Sequence, residues 1–180
     1  ARVNAVLVAI KITALTVFIA LTLPMVDEGN FNPFMPGGFF AAGGVGVGGA
    51  AARIFFAYVG FDAVSTAAEE TKNPQRNVPI GLVGSLLFCT VFYILVAAGA
   101  IGTLGGQPIM GPAGPLEAGS PELARQCAMP EYAEALVCSN EALAHVLRVI
   151  GFSGIGNLLG VAGFLALASV ILQLIFGQTR

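Results

Sequence analysis

Four stretches of about twenty residues with almost no charge constrain this chain most, since roughly 20 residues rising 1.5 Å each cross the ~30 Å hydrocarbon layer of a bilayer. They cover about 3–23, 46–68, 80–104 and 152–176. Only 10% of the residues are charged, against about a quarter in soluble domains, which places the chain among polytopic membrane proteins. The lipid bilayer is therefore an expected partner. A net charge of −2, with no Lys/Arg cluster and no interleaved basic and aromatic residues, argues against nucleic acid.

Between the apolar runs lie a loop at 24–45, a polar turn at 69–79 and a longer loop at 105–151. Pro24, Asn32, Pro33, Pro36 and paired glycines mark the first as turn chemistry. Within the third, 105–120 is Gly- and Pro-rich, whereas 131–150 sets Ala135, Leu136, Leu143, Val146, Leu147 and Ile150 among Glu134, Glu141, His145 and Arg148. That pattern predicts a short amphipathic helix lying over the protein or at the membrane interface. In the last run, Gly156-x-x-x-Gly160 has a small-residue packing spacing.

Lys72 and Arg76 sit in the 69–79 turn, with Arg2 and Arg180 at the ends that would share its side. The opposite loops are mainly acidic, so the turn is expected in the cytoplasm and the 105–151 loop outside. There Cys127 and Cys138 could form a disulfide, if the compartment is oxidising. The chain opens on Ala1-Arg2 without an initiator Met and closes on Gly177-Gln178-Thr179-Arg180 as a helix ends, so a fragment of a longer protein is expected.

Polar groups inside the apolar runs are the functional candidates, because an ionisable side chain there costs about 2.5–3.5 kcal/mol even on insertion scales. Counted from the cytoplasmic ends by helix rise, Lys11 lies about 12 Å in, Asp62 about 9 Å and Ser169 about 10 Å. Three runs thus place a polar group at similar depth. Lys11 reads either as a lysine snorkelling to the headgroups or as a buried ammonium that exchanges a proton during transport. Asp62 is either a structural hydrogen-bond acceptor or a coupling and gating group.

Gly60 lets the second run leave helical geometry and free backbone groups to bind a substrate. Phe56, Tyr58 and Phe61 are then pocket walls, or ordinary packing. Glu69 lies close to the Asp62 face, and Glu69 and Glu70 read as a solvated helix end or, for one of them, a cytoplasmic gate. His145 stands apart from Cys and carboxylates, so no metal site is expected. Neither a catalytic residue nor a cofactor is expected.

Phe55-Phe56-Ala57-Tyr58-Val59-Gly60-Phe61-Asp62-Ala63-Val64, followed by Ala68-Glu69-Glu70-Thr71-Lys72-Asn73-Pro74-Gln75-Arg76 and Pro79-Ile80-Gly81, resembles the sixth helix and following loop of amino-acid permeases. The subgroup resembled most is the cationic amino acid transporter family of the amino acid-polyamine-organocation superfamily. Ala1 to Lys11 is similar to the start of that family's fifth helix, and Gly177 to Arg180 to the end of its eighth.

The resemblance implies an all-α membrane protein: part of a five-plus-five inverted-repeat transporter fold, with four transmembrane helices of which the second is broken. It implies that backbone groups of Phe56, Ala57 and Val59, with Tyr58 and Gly60 in the same stretch, receive a substrate amino group while Phe61 nears the side-chain pocket. The first helix, which would hold the substrate carboxylate, belongs to the missing helices of the full-length protein. Lys11 would occupy the sodium position of sodium-coupled relatives, and Ala168-Ser169 stands where related permeases often have Thr-Ser. Both suggest protons as the coupling ion.

The expected function is amino-acid transport by alternating access, in a plasma or bacterial inner membrane. Two other classes compete with it. Gly60-Phe61-Asp62 shares a Gly-Asp element with intramembrane aspartyl proteases, whose chemistry needs two carboxylates sharing a proton, and no second Asp lies in an apolar run. A non-transporting scaffold would leave the three polar groups at one depth unexplained.

Overall fold

The computed structural model describes residues 2–35, 38–40, 46–55, 71–112, 114–116 and 119–178, with the side chains of 2–4, 168–169, 172–174 and 176–178 outside that description. The helices are α1 (Arg2–Thr22), α2 (Val47–Ile54), α3 (Pro74–Leu104), α4 (Pro121–Cys127), α5 (Ala142–Val149) and α6 (Ser153–Gln178). Four 3-10 turns (Leu23–Met25, Glu28–Phe31, Pro130–Tyr132, Leu136–Cys138) and a two-stranded antiparallel ribbon, β1 (Met110–Gly111) with β2 (Gly114–Pro115), complete the described elements. The expected break at 56–62 and the Glu69–Glu70 pair lie outside the described residues.

Among the described residues, two helical segments are long and apolar enough to cross a membrane: Ala5–Met25 and Pro74–Leu104, both of mean hydropathy 2.4. A soluble protein would bury such helices in its core. Here only 11% of the most apolar 18-residue stretch of the first and none of that of the second is buried within the chain, so these apolar surfaces need lipid or other helices as cover. The first part of α6, Ser153–Leu167, is a further apolar helical stretch. Threonines in the first of these helices bond backward, Thr13 Oγ1 to the Ala9 carbonyl at 2.8 Å and Thr16 Oγ1 to the Ile12 carbonyl at 2.7 Å, which satisfies their hydroxyls within the helix.

The chain divides into two compact units, 1–36 with 95–166 and 37–94 with 167–180. In the first, the core is Phe18 of α1, Ala100 of α3, and Val146 and Leu147 of α5, surrounded by Ile19, Val96, Leu104, Leu136, Leu143, Ile150, Ile155 and Leu159. The α5 contribution follows helical spacing: Leu143, Val146, Leu147 and Ile150 form one stripe, while Arg148 faces away and is exposed.

Close backbone approach joins α1 to α3. A Cβ on Gly99 would overlap Thr22 Oγ1, and one on Gly102 would lie 2.7 Å from Val26 Cγ1. The end of α3 is closed from two sides. Gly105, at φ 76°, donates its N–H to Ile101 O at 2.7 Å in a left-handed cap. Gly102 O, one of the last carbonyls of the helix, accepts from Asp27 N at 2.8 Å and Asn30 Nδ2 at 2.7 Å. The loop after α1 therefore fastens to the end of α3.

The 105–151 region is more ordered than the expected loop with one helix at 131–150. Ser120 caps α4 by accepting from Leu123 N at 3.2 Å, and Pro121 takes the first helical position, where an N–H is dispensable. Only Ala142–Val149 of the expected 131–150 helix is α-helical, because Pro130 starts a separate 3-10 turn and Ala135 is extended. α5 ends in a Schellman motif: Gly151, at φ 95°, donates to Arg148 O at 3.2 Å, and Phe152 donates to Leu147 O at 2.8 Å. Cys127 and Cys138 are joined in a disulfide with Cα atoms 5.4 Å apart.

In the second unit, α2 starts where Val47 N donates to Gly38 O at 3.3 Å and Gly48 N to Phe39 O at 3.0 Å. α3 starts at Pro74, not near Ile80, which shortens the expected 69–79 turn. Asn73 at φ 53° turns the chain, its carbonyl accepts from Arg76 N and Asn77 N, and Pro74 opens the helix. Pro79 reads as a breaker in sequence. It is nonetheless accommodated within the helix, leaving the Gln75 carbonyl without its intrahelical donor.

Candidate functional site

On α1, the side chains sheltered by the protein follow a single stripe: Leu7, Lys11 and Ala14 are half-buried, and Phe18 and Thr22 fully buried. Val6, Val8, Ile10, Ile12 and Val17 between them are exposed. Lys11 therefore shares the protein-facing side of the helix and not the side open to lipid. It lies two turns from Phe18, about 10 Å along the axis.

The other expected site residues have no described side chains. Phe56, Ala57, Tyr58, Val59, Gly60, Phe61, Asp62 and Glu69 lie outside the described residues. The Ser169 backbone belongs to α6 and to the second unit, and its side chain lies outside the description.

A groove of about 500 Å³ runs between α1 and the first half of α6, walled by Val6, Ile10, Thr13 and Val17 on one side and Leu158, Leu159, Ala162 and Leu165 on the other. Its one hydroxyl, on Thr13, is already bonded to Ala9 O. The groove offers the charged groups of an α-amino acid no partner, so it suits an aliphatic chain and not a zwitterion.

Arg148 forms a polar node that the sequence alone does not single out. Its Nη2 meets Glu141 Oε2 at 2.8 Å and its Nε donates to Asn157 Oδ1 at 2.9 Å, joining α5 to the first turns of α6. Beside it, a Cβ on Gly156 would come within 2.8 Å of Ala144 O, so glycine permits this contact. The seven-residue spacing of Glu141 and Arg148 is visible in sequence, whereas the partnership with Asn157 requires the turn at Gly151. Among the described residues, no cluster of His, Cys, Asp and Glu could hold a metal ion.

Exposed apolar helices of spanning length, with a half-buried lysine on a protein-facing stripe, describe a membrane protein with a polar interior position. Comparison with known proteins gives the family: the profile described as "Amino acid permease" matches residues 1–177. The chain belongs to the amino acid permease family. It is 35% identical over 179 residues to the branched-chain amino acid permease BcaP of Bacillus subtilis, covering 99% of this chain and 32% of that protein. To the methylthioribose transporter of the same organism it is 34% identical over 179 residues, again 99% of this chain and 32% of the relative. Cationic amino acid transporter 9 (chloroplastic) of Arabidopsis thaliana is 48% identical over 92 residues, 51% of this chain and 15% of that protein.

The resemblance to the cationic amino acid transporters and their superfamily thus holds. The chain spans about a third of the length of the first two relatives. These relatives are named as permeases and transporters, not enzymes, and give no support to an intramembrane protease or a scaffold.

Proposed function

We propose that this chain is part of a secondary active transporter that carries amino acids across the cell membrane, coupled to protons and working by alternating access. The observation that carries this reading is the family match over 1–177. Helices that leave their apolar surface uncovered are consistent with it. In this reading the backbone at Phe56 to Phe61 receives the substrate, with Asp62 and Glu69 in coupling and gating and Ser169 a partner for Lys11 or the substrate. Protons are taken as the coupling ion because, by the family resemblance, Lys11 stands where sodium-coupled relatives hold sodium, and it lies on the sheltered stripe of α1.

The test is uptake of labelled amino acids by the full-length permease in proteoliposomes, with and without an inward proton gradient. Gradient-driven uptake is expected, and Lys11→Ala is expected to abolish its dependence on the gradient. Uptake by Lys11→Ala that still responds to the gradient would remove Lys11 from coupling. A competition panel of alanine, leucine, arginine, lysine and methylthioribose assigns the substrate, since relatives are named for branched-chain, cationic and methylthioribose transport. Competition by methylthioribose alone would overturn the amino-acid reading.

A further inference from the structure

We propose that the Cys127–Cys138 disulfide is a reducible strap that holds α4 onto the rest of the 105–151 region, so that a dithiol reductant releases α4 while the core beneath stays folded. Attachment runs through a short relay. α4 packs mainly against the Pro130–Tyr132 and Leu136–Cys138 turns, and the second of these packs against α5. Leu136 reaches the core cluster, where α5 supplies Val146 and Leu147.

Cys127 is the last residue of α4 and Cys138 the last of the second turn, so the covalent bond joins the outermost link of this relay to the next. The segment between them holds no buried residue. Its backbone N–H bonds are local, from Tyr132 N to Met129 O, Ala135 N to Tyr132 O and Cys138 N to Ala135 O. Its hydrogen-bonded tie to α5 is the 3.1 Å contact between the Glu134 carbonyl and His145 Nε2, near the far end from α4. Apart from the strap, α4 contributes one buried side chain, Leu123. The core cluster takes nothing from 121–135, so α4 can leave without opening it.

Both cysteines are half-buried and neither belongs to the core cluster. The reductant's thiolate attacks one sulfur and breaks the S–S bond, and the departing cysteine thiolate takes up a proton. The reductant's second thiol then resolves the mixed disulfide, releasing the other cysteine. The cysteine pair gains two electrons and two protons, and the reductant becomes its own disulfide. This inference does not depend on the substrate or coupling ion.

The experiment is limited proteolysis of the purified full-length permease in detergent, with and without dithiothreitol, on the wild type and on a Cys127→Ser/Cys138→Ser variant. Oxidised protein is expected to resist cleavage within 121–137, and a nick between the two cysteines should leave the pieces joined on a non-reducing gel. Dithiothreitol is expected to speed that cleavage at least about tenfold, leaving 142–160 protected. The double variant is expected to be cleaved at the reduced rate with or without the reductant. Equal cleavage of oxidised and reduced wild type would overturn the proposal, as would simultaneous loss of protection at 142–160. A wild type whose two cysteines both react with maleimide before reduction would overturn it outright.

Discussion

Gly99 and Gly102 are the residues whose replacement should be felt most directly, because the atoms opposite them already occupy the space of a side chain. Gly99→Ala or Gly102→Ala is expected to destabilise the full-length protein by about 1–3 kcal/mol, the usual range for overpacking a filled contact. At Gly81 and Gly84, on the same helix, an added methyl group would meet nothing within 4 Å. Alanine there is expected to be neutral or to stabilise by up to ~1 kcal/mol through helix propensity. Thermal unfolding of the four variants in one detergent checks both expectations, and equal shifts would discredit the close approach. Arg148→Ala should cost no more than about 1 kcal/mol, because its ion pair with Glu141 is 40% and 58% exposed.

At the scale of elements, α5 anchors the first unit through two side chains with no exposed surface, Val146 and Leu147. Leu147→Ala is expected to cost about 2–5 kcal/mol, several times the loss at Arg148, and denaturation of the two variants side by side measures the ratio. Much at this scale is legible in the sequence. α1 and α3 follow from apolar runs of spanning length. α4 is harder to see because the Gly- and Pro-rich stretch before it reads as continuing loop, although Ser120-Pro121-Glu122 carries the start signal of a helix. The early start of α3 is hidden for a related reason: Asn73-Pro74 has the composition of a turn, yet proline at the first helical position begins a helix. The candidate site is legible only as a set of polar residues in apolar runs.

For the whole molecule, the excess of Lys and Arg on one side predicts a cytoplasmic 71–79 segment and an external 105–151 region. Single cysteines placed at Gln75 and at Glu131, both exposed, should react with a membrane-impermeant maleimide from opposite sides of sealed vesicles. Reaction of both from the same side would overturn this orientation. The sequence by itself pointed to a membrane, since its apolar runs reach spanning length and only 10% of its residues are charged. The helix ends are also set locally, where Pro74, Ser120, Gly105 and Gly151 act on their own neighbours, although the starts of α3 and α4 are not read from them in the sequence. Only the tertiary structure decided which side of α1 faces protein. That helix is apolar nearly all round, so no periodicity marks a packing face. Phe18 is buried because Ala100, Val146 and Leu147 reach it from more than eighty residues away. Lys11 lies on the same stripe, two turns away.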